Sequence, residues 1–177
     1  MLMPARRRLD QVLDEDFLED IDEIEIADLR GRRQLAVDVE KELSYYRRLL
    51  HGRMDLIRFE RRRRSGEESR SLMESLAEIL SDPSRGDGHD PRRMVLDTDL
   101  PPMPEAGRRE VDVVLGDDVL ANLDSVDDAG LTDALEAVEA MEREISDKRH
   151  RVQQVTDLLS AQIAERYRSG TAESVSP

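Results

Sequence analysis

The fold is decided by residues 39–57, VEKELSYYRRLLHGRMDLI. Apolar side chains recur in this stretch at steps of four, three, four, four and three residues, at Val39, Leu43, Tyr46, Leu50, Met54 and Ile57. This spacing is that of a narrow seam along one face of a helix. The surrounding residues 31–64 contain no proline and only two glycines, so they predict one long helix.

A second seam lies towards the other end of the chain. Its members are Leu131, Leu135, Val138, Met141, Ile145, Lys148, Val152, Val155 and Leu159, with Lys148 as an interruption. Thr132 is the predicted N-cap and Ser169 with Gly170 the predicted stop, which places the second long helix at about 131–168. Two long helices, each with a narrow apolar stripe and joined by a long crossover, predict an all-α antiparallel coiled coil.

The remaining segments differ in composition. Residues 81–112 hold most of the prolines and are predicted to be a long mobile linker. Short helices are predicted at about 67–80, with Ser65 and Glu68 as a capping box, and at about 117–123. The predicted organisation is an acidic N-terminal segment at 1–30, a single helical domain at 31–168 and a disordered tail at 169–177.

The N-terminal segment is strongly acidic, because no basic residue occurs from Asp10 to Asp28. Its acids are interleaved with the apolar residues Val12, Leu13, Phe17, Leu18, Ile21, Ile24 and Ile26. Two interpretations stay open at this point. The segment is either a partly disordered acidic tail or one or two short amphipathic helices that dock on a basic partner.

Composition excludes several classes of protein. The chain has 177 residues, 27 Lys and Arg against 41 Asp and Glu, and a net charge of −14. Cysteine and tryptophan are absent and aromatics make up only 3%, which argues against a disulfide framework and a β-sandwich. The acidic balance argues against non-specific nucleic-acid binding and permits a basic partner. With no long apolar run and no signal-peptide start, we expect a cytoplasmic protein without a membrane span.

Catalysis is the least supported function. There is no phosphate-binding loop and no dinucleotide fingerprint, and the three histidines are scattered with no cysteine beside them. We therefore expect neither an enzyme nor a metal site. Arg58 and the run Arg61–Arg64 offer a nucleic-acid patch as an alternative. We favour compensation of the helix dipole and solvation for these arginines, since no aromatics accompany the run.

One polar pattern occurs twice, once on each long helix. The first copy, E-x3-S-x2-R-x3-H-x3-D, consists of Glu40, Ser44, Arg47, His51 and Asp55, and the second consists of Glu142, Ser146, Arg149, Gln153 and Asp157. Steps of four, three, four and four residues keep each set within a helical arc of roughly 80°. Both stripes flank their seam on the same side. In an antiparallel pair, a pseudo-twofold axis near Arg47 and Arg149 would exchange them.

The residue types of the stripe favour a guanine nucleotide. The arginine fork fits phosphate oxygens or the O6 and N7 edge of guanine, and carboxylates accept from its N1–H and amino group. Serine with glutamine or histidine adds neutral donors. A doubled stripe predicts a ligand that is itself twofold. The alternative is a ligand-independent coiled-coil adaptor whose polar stripes are solvated faces.

The repeated pattern resembles the E-x3-S-x2-R-x3-Q-x3-D signature of the RsiG family, the cyclic di-GMP-dependent anti-sigma factors of sporulating actinobacteria. The resemblance covers both long helices and both copies. It implies a coiled coil that binds cyclic di-GMP as a pair of molecules and, when loaded, captures the sporulation sigma factor WhiG. By this match the ten stripe residues named above are the ligand-binding residues. His51 stands where the signature has glutamine.

Overall fold

The computed structural model describes residues 8–72, 74–75 and 123–173. Its helices are α1 (Arg8–Val12), α2 (Ile26–Ser65) and α3 (Asp128–Glu173), with 3-10 helices at Glu15–Leu18 and Leu123–Ser125. The described part of the chain contains no strand, so the all-α prediction is confirmed. The predicted linker 81–112 and most of the predicted short helix at 117–123 lie outside the described residues. The predicted helix at 67–80 starts later than expected: residues 67–71 are not helical, and residues 72, 74 and 75 are.

The chain divides into two units, and each contains a part of both long helices. Unit 1 consists of Met1–Ser44 and Ser146–Pro177, and unit 2 of Tyr45–Ile145. In unit 1, Arg33 of α2 contacts Ser160 of α3. Glu40 lies later in α2 and contacts Arg149, which lies earlier in α3.

The same order holds in unit 2. Arg47 contacts Glu142, and Arg64, near the end of α2, contacts Asp128, at the start of α3. The helices therefore run antiparallel in each unit, as predicted.

Burial follows the two predicted seams. All six seam residues of α2 are buried, and in α3 only Met141 and Lys148 are half-buried while the other seam members are buried. Leu50, Leu131 and Leu159 have no exposed surface. Full burial of such a side chain stabilises the fold by about 1.5–3 kcal/mol, so the seams supply the main attraction between the helices.

Both long helices begin earlier than predicted. α2 starts at Ile26, because Leu29 and Ala36 continue the seam and are fully buried. The predicted N-cap Thr132 lies inside α3, where its hydroxyl donates to the carbonyl of Asp128 at 2.9 Å. The cap is Asp127, whose carboxylate accepts from the Gly130 amide at 2.8 Å.

The predicted helix stop at Ser169 and Gly170 is wrong, since α3 continues to Glu173. The Ser169 hydroxyl donates to the carbonyl of Glu165 at 3.0 Å, a bond made within a continuing helix. Glycine in a helix costs only about 1 kcal/mol relative to alanine and does not by itself end one. Residues 169–173 therefore do not belong to a disordered tail.

α2 ends within one residue of the predicted end at residue 64, but the predicted capping box lies elsewhere. Gly66 has a φ of 82°, and the amides of Gly66 and Glu67 bond to the carbonyls of Arg63 and Arg62, a Schellman motif. The box next along the chain pairs Ser71 with Glu74. Ser65 with Glu68 fits the same spacing, but the Ser65 hydroxyl bonds back to Arg62.

The acidic segment folds onto the helices of unit 1. Val12 and Phe17 are buried. Arg32 of α2 donates to the carbonyls of Phe17 and Glu19 at 2.7 and 3.0 Å. Arg166 of α3 donates to the carbonyls of Ile21 and Ile24, to Ile21 at 3.0 Å. From residue 8 onwards the disordered-tail interpretation is therefore wrong, and short helices form as in the other interpretation.

Candidate ligand-binding site

A cluster in unit 1 joins the first copy of the polar pattern to the second. Glu40 Oε1 accepts from the Ser44 hydroxyl at 3.1 Å, from Arg149 Nε at 2.9 Å and from Gln153 Nε2 at 3.3 Å. Arg149 Nε also lies 2.9 Å from Ser44 Oγ. The glutamate and serine come from α2 and the arginine and glutamine from α3, because each stripe flanks its buried seam.

A cluster in unit 2 has the same arrangement with the helices exchanged. Glu142 of α3 receives Arg47 Nε at 3.1 Å and lies 3.0 Å from His51 Nε2, both on Oε1. Here the second copy contributes the glutamate and the first copy the arginine. The imidazole of His51 takes the place that the amide of Gln153 holds in unit 1. The pseudo-twofold axis that would exchange the two stripes stays a prediction.

The two clusters contain seven of the ten predicted site residues: Glu40, Ser44, Arg149 and Gln153 in unit 1, and Arg47, His51 and Glu142 in unit 2. Ser146 is half-buried on α3, one turn from Glu142. Asp55 is half-buried one turn beyond His51, with its carboxylate 3.8 Å from Arg58. Asp157 is exposed one turn beyond Gln153. Binding of a ligand by these residues stays a prediction.

The ion pairs at the centre of the clusters are only partly shielded from water. The side chains of Arg47 and Glu142 are 31% and 18% exposed, and those of Arg149 and Glu40 are 17% and 25% exposed. Water therefore reaches both pairs and screens part of their attraction. An anionic ligand can approach either arginine. The clusters combine charged donors, neutral donors and carboxylate acceptors, which suits recognition of a polar ligand.

A further ionic cluster at the end of α2 was missed in the sequence. Glu60 is only 1% exposed, and its carboxylate bonds to Arg63 and Arg64, each at 2.7 Å. These hydrogen bonds, that of Arg63 foremost, lower the pKa of Glu60. Arg64 also donates to the Leu123 carbonyl at 2.7 Å and pairs with Asp128 at 2.9 Å.

These contacts explain part of the arginine run. Arg63 and Arg64 are used within unit 2, and Arg63 also pairs with Asp124 at 3.1 Å. This internal use argues against the nucleic-acid alternative. The available signal was the spacing of Glu60 three and four residues before the two arginines, which places all three on one helical face.

A comparison with protein families bears on the first stripe. Residues 15–80 match the model of the family described as RsiG-like. The resemblance predicted from the polar pattern is thereby confirmed for the stretch that holds the second half of the acidic segment, α2 and the first copy. The match supports an anti-sigma role and, with it, a sigma factor as partner.

Two further findings stand beside this match. No curated protein matches the chain. Among the described residues, no helix has the length and apolar character needed to cross a membrane. The second polar stripe lies outside the RsiG-like match, so its assignment rests on its pattern and its contacts.

Proposed function

We propose that this protein is an anti-sigma factor controlled by cyclic di-GMP, which binds at the two polar clusters as a pair of molecules. The observation that carries the proposal is the recurrence of one arrangement in both units. In each, a glutamate receives an arginine and an amide or imidazole from the facing helix. The RsiG-like match over the first copy supports the same function.

The chemistry of the clusters suits this ligand. Cyclic di-GMP has two phosphates and two guanines related by twofold symmetry. The arginine fork can bind phosphate or the Hoogsteen edge of guanine, while carboxylates accept from the guanine N1–H and amino group. Two clusters, each with a glutamate, an arginine and an amide or imidazole, offer these groups twice.

Ligand binding would act by replacing contacts within the protein. In the free protein, Glu40 and Glu142 hold the guanidinium groups of Arg149 and Arg47. Phosphate competes with these carboxylates, because charge-assisted bonds to phosphate are strong and the ion pairs are partly exposed. The loaded protein then captures a sporulation sigma factor of the WhiG type and withholds it from RNA polymerase. By linkage, the captured sigma factor raises the affinity for the ligand by the same factor.

Titration calorimetry with cyclic di-GMP separates this function from that of a ligand-independent adaptor. We expect heat of binding from the wild-type protein and its loss in the double variant Arg47→Ala with Arg149→Ala. The matched control replaces Arg48 and Arg151, exposed arginines on the same helices, and should bind as the wild type does. An adaptor would give no heat in any of the three proteins.

A further inference from the structure

A cleft of about 570 Å³ lies in unit 1 beside the acidic segment. One part of its wall is apolar and consists of Phe17, Ile24 and Leu35. Another part is anionic and consists of Asp14, Asp16 and Asp28. A cleft with both kinds of wall suits a side chain with an apolar stem and a charged end.

The charge around the cleft is strongly negative. Residues 10–28 include ten Asp and Glu and no basic residue, and nearly all of these acids are exposed. The two arginines that hold the segment in place, Arg32 and Arg166, bond to its backbone carbonyls rather than to its carboxylates. The segment is therefore anchored while its negative charge stays available to a partner.

Arg32 lies in the wall of the cleft, and its contact with Phe17 shows that the wall can bind a guanidinium group. Its guanidinium carbon lies 5.9 Å from the centre of the Phe17 ring, a cation–π contact. Three carboxylates outnumber this one positive charge in the lining. A second cation is therefore favoured there, and an anion is not.

We propose that this cleft is a docking site for an arginine or lysine side chain on a basic segment of a protein partner. The stem of the incoming side chain packs on Phe17, Ile24 and Leu35, and its charged end faces Asp16 and Asp28. The proposal rests on the proposed function, in which the partner is the sigma factor. Negative charge around the cleft would also speed the encounter with a basic surface.

Gly31 allows the cleft to be filled without changing its charge. It lines the cleft, and a Cβ atom at this position meets nothing within 4 Å. Gly31→Leu places a side chain in the cleft, and Gly31→Ala is the control that adds only a methyl group. Both replace a helical glycine by a better helix former, so the fold is preserved.

The first experiment measures binding of a labelled peptide with alternating arginine and leucine by fluorescence anisotropy. We expect the wild type and Gly31→Ala to bind it alike, and Gly31→Leu to bind on the order of tenfold more weakly. A peptide with citrulline for arginine should not bind, since citrulline keeps the shape and lacks the charge. Equal affinities of Gly31→Leu and Gly31→Ala, or no binding by the wild type, would overturn the proposal.

A charge variant tests the anionic wall separately. Asp16→Asn with Asp28→Asn should weaken peptide binding and flatten its dependence on salt. Asp133→Asn with Glu136→Gln changes two exposed acids in unit 2 and is the matched control. It should leave the peptide affinity and its salt dependence unchanged. An equal effect of the two double variants would show that only the net charge matters, and the cleft would then be ruled out.

Capture of a sigma factor distinguishes failure of this proposal from failure of the proposed function. If the wild type and Gly31→Leu capture the sigma factor equally, the cleft is not its docking site and the anti-sigma function stands. If no sigma factor is captured while the peptide binds and Gly31→Leu weakens it, the anti-sigma function fails and the basic-segment site stands.

Discussion

At the scale of single residues, the same atom carries the contact in both clusters. Nε of Arg47 and Nε of Arg149 each donate to a glutamate of the facing helix, at 3.1 and 2.9 Å. Because these pairs are partly exposed, a ligand can reach either arginine. Loss of either arginine should therefore reduce the affinity for an anionic ligand more than loss of any other stripe residue.

Replacement of either arginine should weaken ligand binding. Arg47→Ala or Arg149→Ala removes about 1.5–3 kcal/mol of charge-assisted hydrogen bonding, which corresponds to about ten- to a hundredfold in affinity for cyclic di-GMP. Calorimetry measures this directly. Arg48→Ala, at an exposed position of the same helix, should have no effect. Unchanged titrations for both single variants would contradict the role of the arginines.

His51 is the position at which the two polar patterns differ. In unit 2 its imidazole lies on Glu142, as the amide of Gln153 lies on Glu40 in unit 1. His51→Gln should therefore keep the affinity for cyclic di-GMP, because the amide offers a donor at the same place. His51→Ala removes that donor and should weaken binding.

Ligand titrations compare the wild type with His51→Gln and His51→Ala. An affinity of His51→Ala equal to that of the wild type would mean that His51 does not touch the ligand.

At the scale of elements, the end of α2 is held by a buried carboxylate. The Glu60 carboxylate binds both Arg63 and Arg64. Arg64 also donates to the Leu123 carbonyl and pairs with Asp128 at the start of α3. The 3-10 helix Leu123–Ser125 and the first turn of α3 are thereby attached to the last turns of α2. This cluster stabilises the end of the helix pair in unit 2.

Removal of the Glu60 charge should destabilise the fold in a pH-dependent manner. The lowered pKa means that the ionised carboxylate is favoured in the folded state, so its contribution is present above the ordinary value of 4.5 and is lost on acidification. Glu60→Gln should lower the free energy of unfolding by about 1–3 kcal/mol at pH 7. The difference from the wild type should shrink as the pH falls below 4.5.

Urea unfolding at pH 7 and pH 3 measures this difference. Glu67→Gln changes an exposed acid just beyond the same helix and should leave the stability unchanged. A Glu60→Gln variant that is as stable as the wild type at pH 7 would show that the cluster adds nothing.

Local periodicity predicted the elements that carry the site, because the helical repeat sets both the buried seam and the stripe beside it. The seams and the antiparallel direction place the two stripes on facing helices, but the pairing of Glu40 with Arg149 and of Arg47 with Glu142 also depends on the register of the helices. The predicted ends of the helices were less accurate. Ile26 begins α2 because burial of Leu29 outweighs the weak local signal of an acidic stretch.

Long-range contacts could not be read from the sequence. Arg166 holds the carbonyls of Ile21 and Ile24, more than 140 residues away along the chain, and no local pattern marks such a pair. Glu60 was overlooked because a single acid in an arginine-rich stretch carries no sign of burial. Its position became visible only when the packing of α2 was known.

At the scale of the whole molecule, negative charge is concentrated in residues 10–28. The net charge is −14, and residues 10–28 alone carry ten acids without a basic residue. Complete removal of residues 1–30 would not test this charge cleanly, because Val12, Phe17 and Leu29 are buried and their loss would open unit 1. Neutral substitutions at exposed positions keep the fold and remove the charge.

Neutralisation of the acidic segment should slow capture of the sigma factor. A variant with Asp22→Asn, Glu23→Gln and Glu25→Gln, all exposed, should associate more slowly at low salt and show a weaker salt dependence. Its affinity for cyclic di-GMP should be unchanged, since the stripe begins at Glu40. Surface plasmon resonance at several salt concentrations measures the association rate. An unchanged rate would show that the segment does not steer the partner.

The central claim is that cyclic di-GMP, bound at the two clusters, controls capture of a sigma factor. Its most direct test is co-purification of the protein with a WhiG-type sigma factor, with and without cyclic di-GMP. We predict a stable complex with the ligand, none without it, and none with the ligand when Arg47→Ala and Arg149→Ala are combined. A complex of equal yield in all three samples would contradict the claim.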